Sequence, residues 1–127
     1  MTILLDTVDF LWFVSGNPKL SPRSKQEITN PQNEVFLSVV SLWEIIIKYA
    51  LGKLPLPQPP EIYVPAQRER HRIDALNLEE SSVRLLAKLP RLHRDPFDRM
   101  LICQAQDKGM RLASSDPAMR PYAVTLL

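Results

Sequence analysis

The chain has 127 residues, of which 45% are hydrophobic and 24% are charged, and its formal net charge is +2. These values are typical of one globular domain with a single core, and they exclude a disordered or fibrous chain. The mildly basic balance allows a polyanionic partner but does not require one. We therefore expect a single domain spanning residues 1–127.

The N-terminal segment begins with a short apolar run, residues 3–5, that predicts a buried strand. Asp6 and Asp9 interrupt the apolar character of this segment, which argues against a signal peptide or a membrane span. Cys103 is the single cysteine, so no internal disulfide can form and a reducing compartment suits the chain. These features predict a cytoplasmic protein.

Strand-like and helix-like segments alternate along most of the chain. The predicted strands are residues 3–5, 35–37, 72–76, 112–114 and 123–127. Helical patterns cover residues 10–14, 22–28, 39–51, 79–89 and 97–108, with a further short helix over 61–72. This alternation predicts an α/β fold, in which a central, mainly parallel five-stranded sheet carries helices on both faces.

Four acidic residues lie beside apolar runs that could carry them to one place: Asp6, Glu44, Asp98 and Asp116. Asp6 and Asp116 follow predicted strands, and ligands of open α/β sheets bind at the carboxyl ends of strands. Glu44 has apolar neighbours almost all round its helix, so we expect its side chain to point inward. Clustered carboxylates favour Mg²⁺ or Mn²⁺ over zinc, and such a site suits hydrolysis of a phosphodiester.

Helix capping is an alternative explanation for three of these acids. Ser41 and Glu44 have the spacing of a capping box, and Asp95 followed by Pro96 is typical of a helix N-cap. Asp116 precedes Pro117 in the same arrangement. Taken one at a time, these acids are explained more simply as caps. Asp6 is not, because a carboxylate directly after a buried strand costs free energy unless a cation neutralises it.

Hydroxyl and basic side chains near the acids are candidates for supporting roles. Thr7 or Ser114 could hydrogen-bond to a carboxylate or to a metal-bound water, although ordinary polarity at a strand end explains them equally well. A basic cluster that includes Arg91, Arg94 and Arg99 surrounds Asp98 in the sequence. We predict that these arginines hold a nucleic-acid backbone at the metal site.

Other active-site classes fit less well. Asp6 and Asp9 have the wrong spacing for a haloacid-dehalogenase-like phosphatase, and a chain with 3 glycines has no glycine-rich phosphate loop. His71 and His93 lie among arginines, outside any metal-ligand spacing. Neither histidine is predicted to act as a catalytic base.

Four segments together resemble the PIN-domain ribonucleases and, within them, the VapC-type toxins of bacterial toxin–antitoxin pairs. The segments are residues 3–7 (ILLDT), 38–45 (SVVSLWEI), 93–99 (HRDPFDR) and 114–117 (SSDP). Each is only moderately specific, but their order and spacing match over nearly the whole chain. The resemblance implies a three-layer α/β/α fold, cleavage of RNA with Mg²⁺ or Mn²⁺, a homodimer, and inhibition by a cognate antitoxin.

The metal-binding acids of that family are similar in position to Asp6, Glu44, Asp98 and Asp116. The resemblance makes Asp6 and Asp98 the principal metal ligands, with the other two acids completing the site directly or through water. Asp95 then resembles a helix cap that could also face a metal-bound water. The sequence departs from the family at Val8-Asp9, where similar toxins usually carry His-Ala or His-Val directly after the threonine of this motif.

Apolar residues beside the acids could bind an antitoxin or a second copy of the chain. The candidates are Phe10, Trp12, Phe13, Trp43 and Tyr49, although core packing is the simpler expectation for Trp43. Two alternative functions stay open at this point. The chain could be a non-catalytic RNA- or protein-binding module with a PIN-like fold, or a PIN nuclease of RNA or DNA processing.

Overall fold

A four-stranded parallel sheet forms the centre of the molecule in a computed structural model that describes residues 1–127. Its strands are β1 (Thr2–Leu5), β2 (Glu34–Ser38), β3 (Asp74–Leu76) and β4 (Arg111–Ala113), in the order β3-β2-β1-β4. The helices are α1 (Thr7–Ser15), α2 (Pro22–Thr29), α3 (Val39–Ala50), α4 (Pro60–Arg70), α5 (Glu80–Arg84) and α6 (Pro96–Lys108). Short 3₁₀ turns cover Leu85–Ala87 and Pro117–Met119.

The strands are in register so that their carboxyl ends meet at one edge of the sheet. Leu4 of β1 lies beside Phe36 of β2 on one side and beside Leu112 of β4 on the other. The amide of Asp6 donates to the carbonyl of Ala113 at 2.9 Å, which continues this pairing just past the end of β1. The residues that follow β1 and β4 are therefore neighbours in space.

Helices cover both faces of the sheet, as the continuous burial along β1 requires. Ile3 and Leu5 face a core that includes residues of α1, α2 and α4, whereas Leu4 faces a core formed largely by α6. Helix α3 contributes Val40 to the second core and Ile45 to the first. The predicted α/β fold with a parallel sheet and three layers is confirmed.

The prediction of five strands is wrong, because residues 123–127 do not form a full strand. Leu126 makes an isolated parallel bridge to Leu112, supported by hydrogen bonds from Leu112 N to Thr125 O (2.8 Å) and from Leu127 N to Leu112 O (3.0 Å). The amide of Val124 bonds back to Tyr122 at 2.8 Å, so the preceding residues are used in a tight turn. Leu126 is therefore the one residue of this segment that pairs with β4.

The cap of one helix and the length of another differ from the predictions. Helix α3 is capped by Ser38, whose hydroxyl accepts from the amide of Val40 at 3.0 Å, so Ser41 lies inside the helix and the predicted capping box is wrong. The predicted helix over 79–89 is shorter in the structure, where α5 passes into a 3₁₀ turn. The additional short helix over 61–72 is present as α4. None of the helices has the length and apolar character needed to cross a membrane.

Candidate metal centre

A pocket of about 380 Å³ opens at the carboxyl edge of the sheet and brings the four predicted acids together. Asp6 follows β1, Glu44 lies on α3, Asp98 lies in the first turn of α6, and Asp116 follows β4. The lining is completed by Val8, Asp9, Trp12, Lys48, His93, Asp95 and Ser115. Carboxylates that are far apart in the sequence thus share one cavity.

Asp6 directly follows β1, and its side chain is buried. Its oxygen Oδ2 accepts a hydrogen bond from the hydroxyl of Ser114 at 2.7 Å. Burial raises the pKa of Asp6 from 3.8 to about 7, because the bond from Ser114 offsets only part of the desolvation and the nearby charges of Asp98 and Asp9 add to it. The carboxylate form of Asp6 therefore lacks sufficient compensating charge within the protein.

Asp98 is held at the start of α6 by a cap and by a histidine. One oxygen of Asp95 accepts from the amides of Phe97 (2.8 Å) and Asp98 (3.2 Å), as the predicted N-cap requires. Oδ2 of Asp98 lies 2.8 Å from Nε2 of His93. Burial raises the pKa of Asp98 to about 6; the bond to His93 lowers it, and the charges of Asp95 and Glu44 raise it.

Asp116 has both a capping role and a free oxygen. Its oxygen Oδ1 accepts from the amide of Ala118 at 2.9 Å, which caps the 3₁₀ turn as the sequence predicts. Its own amide donates to the hydroxyl oxygen of Ser114 at 3.2 Å, so Ser114 connects Asp116 to Asp6. Because a cap uses one carboxylate oxygen, capping and metal binding are compatible in the same residue.

Glu44 lies on α3 and is paired within its own helix. The side chain points inward as predicted, and Oε2 forms an ion pair with Nζ of Lys48 one turn further along α3. The other oxygen, Oε1, is buried and has no hydrogen-bond partner. Burial lowers the pKa of Lys48, but its bond to Glu44 and the charges of Asp95 and Asp98 more than offset this and raise it overall.

Thr7 and Asp9, both on α1, make contacts that the sequence did not predict. Thr7 donates its hydroxyl to Ser41 at 2.8 Å within the protein interior, so this hydroxyl is not bonded to any of the four acids. Asp9 is fully buried, accepts from the amide of Ser115 at 3.2 Å, and leaves its Oδ2 without a partner. Burial raises the pKa of Asp9 as well. The position next to Val8 therefore adds a further carboxylate to the pocket.

The three predicted RNA-binding arginines are not equivalent. Arg91 and Arg94 are exposed on the loop before α6, and together with His93 and Arg99 they line a depression of about 470 Å³. Arg99 is half-buried and donates to the carbonyls of Pro90 (2.9 Å) and Leu89 (3.4 Å). Arg99 thus fixes the loop, whereas Arg91 and Arg94 present free guanidinium groups.

Sequence reasoning missed two side chains of the pocket, His93 and Lys48. His93 contacts Asp98 directly, and the available signal was its place in the same short loop, five positions before that acid. Lys48 was visible as a lysine at helical i+4 spacing from Glu44. The expectation that Trp43 packs in the core is wrong: it is 57% exposed and meets Phe97 edge-on, with ring centroids 5.0 Å apart.

The donor set of the pocket fits a divalent cation. One ligand atom each of His93, Asp98 and Asp116 lies within 4.8 Å of the other two. The buried oxygens Asp9 Oδ2 and Glu44 Oε1 lack partners, and the pKa values of Asp6 and Asp98 are raised to about 7 and about 6. Hard oxygen atoms that lack positive charge around them favour Mg²⁺ or Mn²⁺.

Comparisons with known proteins agree with this architecture. The family model described as PIN domain matches residues 3–124. A curated relative, Ribonuclease VapC16 of Mycobacterium tuberculosis, is 35% identical over 69 residues, which cover 51% of this chain and 49% of that protein. The matched region thus spans about half the length of this relative.

Two solved structures share the fold over the full chain. The structure of VapBC2 from Rickettsia felis bound to a promoter DNA fragment superposes with a TM-score of 0.76 at 14% identity, covering 100% of this chain and 98% of the other. The structure of VapBC-1 from nontypeable Haemophilus influenzae gives a TM-score of 0.66 at 18% identity, covering 100% and 97%. At these identities the likeness concerns the fold.

Proposed function

The chain belongs to the PIN domain family, and from this premise we propose that it is a metal-dependent endoribonuclease, the toxin component of a toxin–antitoxin pair. The observation that carries the proposal is the convergence of four carboxylates, from four separate elements, on one pocket. A curated relative that is named as a ribonuclease supports the choice of RNA as substrate. We treat residues 1–127 as a single catalytic domain.

We assign metal binding to Asp6 and Asp98, with Asp116 and Glu44 completing the site directly or through water. A bound Mg²⁺ or Mn²⁺ would supply an activated water and would neutralise charge that develops on the phosphodiester. The protein's own contribution is orientation. Ser114 holds the carboxylate of Asp6, and Asp95 holds the first turn of α6 in which Asp98 lies.

The loop before α6 supplies the positive charge that a nucleic-acid backbone would need. Arg91 and Arg94 are exposed beside the acidic pocket, and Arg99 anchors the loop through two backbone carbonyls. Phosphate contacts position a strand without reading its sequence. We infer that Arg91 and Arg94 hold the RNA chain so that one phosphodiester lies over the acids, and that Arg99 holds their loop in place.

Exposed apolar side chains on and near α3 and α4 fit a protein partner. Trp43 is 57% exposed and Leu51 is 64% exposed on or just after α3, and Ile62 on α4 is 56% exposed. Exposed apolar groups of this size favour a binding surface. We propose that an antitoxin or a second copy of the chain covers them in the cytoplasm. Phe10 takes no part, because it is fully buried.

Cleavage of a mixed RNA pool tests the enzymatic proposal. The purified protein with Mn²⁺ or Mg²⁺ is compared with Asp98→Asn, with a chelator control, and with the matched variant Asp74→Asn at an exposed position on β3. We expect cleavage by the wild type and by Asp74→Asn, and none with Asp98→Asn or chelator. Full activity of Asp98→Asn would contradict the assignment.

Thermal unfolding separates this enzyme from a non-catalytic binding module. A metal site that exists in the folded state alone raises the melting temperature when metal is added, by mass action. We expect Mg²⁺ or Mn²⁺ to raise the melting temperature of the wild type and to have a much smaller effect on Asp98→Asn. If neither ion changes the wild-type melting temperature, the acids act as caps and ion pairs, and the binding module becomes the better account.

A further inference from the structure

A second cavity, of about 310 Å³, opens at the amino edge of the sheet and shares no residue with the acidic pocket. Its walls come from the last turns of α1, α2 and α4 and from the segments that lead into β2 and β3. Arg70, His71 and Arg72 line it, and no acidic residue does. The cavity therefore differs in charge from the proposed catalytic site, at the opposite edge of the same sheet.

The two arginines of this cavity carry charges that the protein leaves unpaired. Arg70 and Arg72 are both exposed, and neither guanidinium group forms an ion pair or donates a hydrogen bond. Arg68, one turn before Arg72, instead donates to the carbonyl of Ile73 at 3.4 Å. Arg68 thus holds the backbone, whereas Arg70 and Arg72 are free to bind an anion.

The backbone of Arg72 indicates that its side chain has a use. Its φ of 57° lies in the left-handed region, where it closes α4 while the amide of Ile73 donates to the carbonyl of Arg68 at 2.9 Å. Glycine is favoured at such a helix end, because a Cβ crowds the backbone there. The other residues with positive φ are all glycines, namely Gly16, Gly52 and Gly109. Arg72 alone keeps a side chain against this preference, and backbone strain of this kind clusters at functional sites.

The other groups in the wall suit a nucleotide better than a bare anion. His71 packs edge-on against Phe13, with ring centroids 4.9 Å apart, and burial and then the charge of Arg70 lower its pKa, so the ring is mainly neutral at pH 7. Oδ1 of Asn30 accepts from the amide of Gln32 at 3.0 Å, and its amide nitrogen makes no hydrogen bond. Guanidinium groups bind phosphate, whereas a neutral ring and a free amide can contact a base.

We propose that this cavity binds a nucleotide of single-stranded RNA, with a phosphate at Arg70 and Arg72, and so holds the strand at a second point outside the acidic pocket. This inference rests on the proposed ribonuclease function and adds to it a remote contact with the substrate. The 4 residues of β1, at about 3.3 Å each, separate the two edges of the sheet by on the order of 13 Å. An RNA strand of about 12 nucleotides, at about 3.4 Å per nucleotide, is long enough to contact both edges.

The alternative role for these arginines is local. A basic residue in the last turn stabilises a helix through its dipole, and Arg70 has that position in α4. Arg72 lies beyond the C-cap His71, in the left-handed conformation, so the dipole does not account for it. Both roles predict that Arg72→Gly raises the melting temperature, because the strain is relieved. The proposed role alone predicts that the same variant binds RNA more weakly.

The experiment measures RNA affinity in chelator, so that no strand is cut. Fluorescence anisotropy follows labelled single-stranded RNA of about 12 nucleotides at several salt concentrations. The variants are Arg70→Gln, Arg72→Gly, the double variant, and Arg72→Lys, which keeps the charge. Arg23→Gln is the matched control, because Arg23 is exposed in the first turn of α2 and does not line the cavity. Labelled polyglutamate in the same assay tests an acidic polypeptide as the occupant, and calorimetry gives each melting temperature.

We expect Arg72→Gly to melt about 2–4 °C higher than the wild type and to bind RNA roughly 3- to 10-fold more weakly. The double variant should bind RNA at least about 10-fold more weakly, with a salt dependence reduced by about one to two phosphate contacts. Arg72→Lys and Arg23→Gln should bind RNA with an affinity close to that of the wild type. A variant that is more stable and yet binds less RNA has not lost affinity through unfolding.

Equal RNA affinities of the double variant and Arg23→Gln would overturn the inference. Binding of polyglutamate that depends on Arg70 and Arg72, with RNA binding unaffected by them, would also overturn it and assign the cavity to an acidic polypeptide. In either case, Mn²⁺-dependent cleavage of the RNA pool by the wild type would leave the proposed function intact. RNA binding that the double variant loses, without any cleavage by the wild type, would instead contradict the proposed enzyme and keep the cavity as an RNA site.

Discussion

The two sides of the acidic pocket carry the same functional group in different electrostatic surroundings. On the α3 side, Glu44 is neutralised by Lys48 one turn away. On the β1–α6 side, burial and neighbouring carboxylates raise the pKa of Asp6 to about 7 and that of Asp98 to about 6. The comparison shows that the demand for an external cation is concentrated at the end of β1 and at the start of α6.

The difference follows from local structure. A helix brings residues four apart onto one face, so a lysine can neutralise a glutamate of the same element. Asp6 and Asp116 follow strands, where the neighbouring groups are backbone amides and the hydroxyl of Ser114. Those donors orient the carboxylates but carry no full positive charge.

The largest expected effect comes from removing the charge of Asp6. We expect Asp6→Asn to lower RNA cleavage by roughly 100-fold or more, because a metal ligand is lost. The same change should raise the melting temperature of the metal-free protein at pH 8, because a buried carboxylate is removed. Cleavage assays and calorimetric melting in chelator test both parts. Lower activity without higher stability would contradict the account of Asp6.

The pH dependence of stability tests the raised pKa values of Asp6 and Asp98. The folded protein binds extra protons at Asp6 and Asp98 between the ordinary pKa of 3.8 and the raised values of about 7 and about 6. Metal-free stability should therefore be highest near the acidic end of this window, and it should fall by on the order of a few kcal/mol as the pH rises to 7. Denaturant titrations in chelator, from pH 5 upward, measure this.

Saturating Mg²⁺ should flatten that pH dependence, because the ion binds the ionised carboxylates. Asp6→Asn should flatten it without metal. A metal-free protein whose stability rises steadily from pH 5 to 7 would show that burial does not raise these pKa values.

A smaller effect is expected from Ser114, which orients Asp6 and accepts from the amide of Asp116. Ser114→Ala should weaken metal affinity by roughly 10-fold, which is typical of residues that hold a metal ligand in place. Ser15→Ala is the matched control, since Ser15 is exposed at the end of α1 and does not line the pocket. Equal Mn²⁺ affinities in calorimetry for these two variants would show that Ser114 does not orient the site.

The smallest effect concerns the arginine-bearing loop. Arg91→Gln together with Arg94→Gln should weaken RNA binding by roughly 3- to 10-fold and make it less dependent on salt, because two exposed phosphate contacts are lost. Arg99→Gln should instead lower the melting temperature, because the loop loses its bonds to the carbonyls of Leu89 and Pro90. Fluorescence anisotropy with labelled RNA at several salt concentrations, measured with the inactive Asp98→Asn background, separates the two effects.

The sequence predicted the α/β architecture because the apolar runs of β1, β2 and β4 are short and are separated by helical patterns. It also placed Asp6 and Asp116 after strands and Asp98 in the first turn of a helix, since parallel strands bring their carboxyl ends to one edge. Glu44 lies in the middle of α3, not at its start as the predicted capping box required. The C-terminal strand was overpredicted, because β-propensity does not reveal that the turn at Tyr122 leaves one position for pairing.

Other features depend on tertiary contacts that no local pattern encodes. The bond between Thr7 and Ser41 joins residues 34 positions apart, and the loop fold brings His93 onto Asp98. Trp43 has the composition of a core residue but lies on the outer side of α3, where it meets Phe97. Consecutive residues of a helix point in different directions, so Trp43 points outward because Glu44 points into the pocket.

The measurement that tests the central claim most directly is a crystal structure with Mn²⁺, located by its anomalous scattering. The account predicts an anomalous peak in the pocket, within about 2.2 Å of carboxylate oxygens of Asp6 and Asp98 and close to Asp116. Absence of a peak in the pocket at saturating Mn²⁺, or a peak bound only at other surface acids, would contradict it.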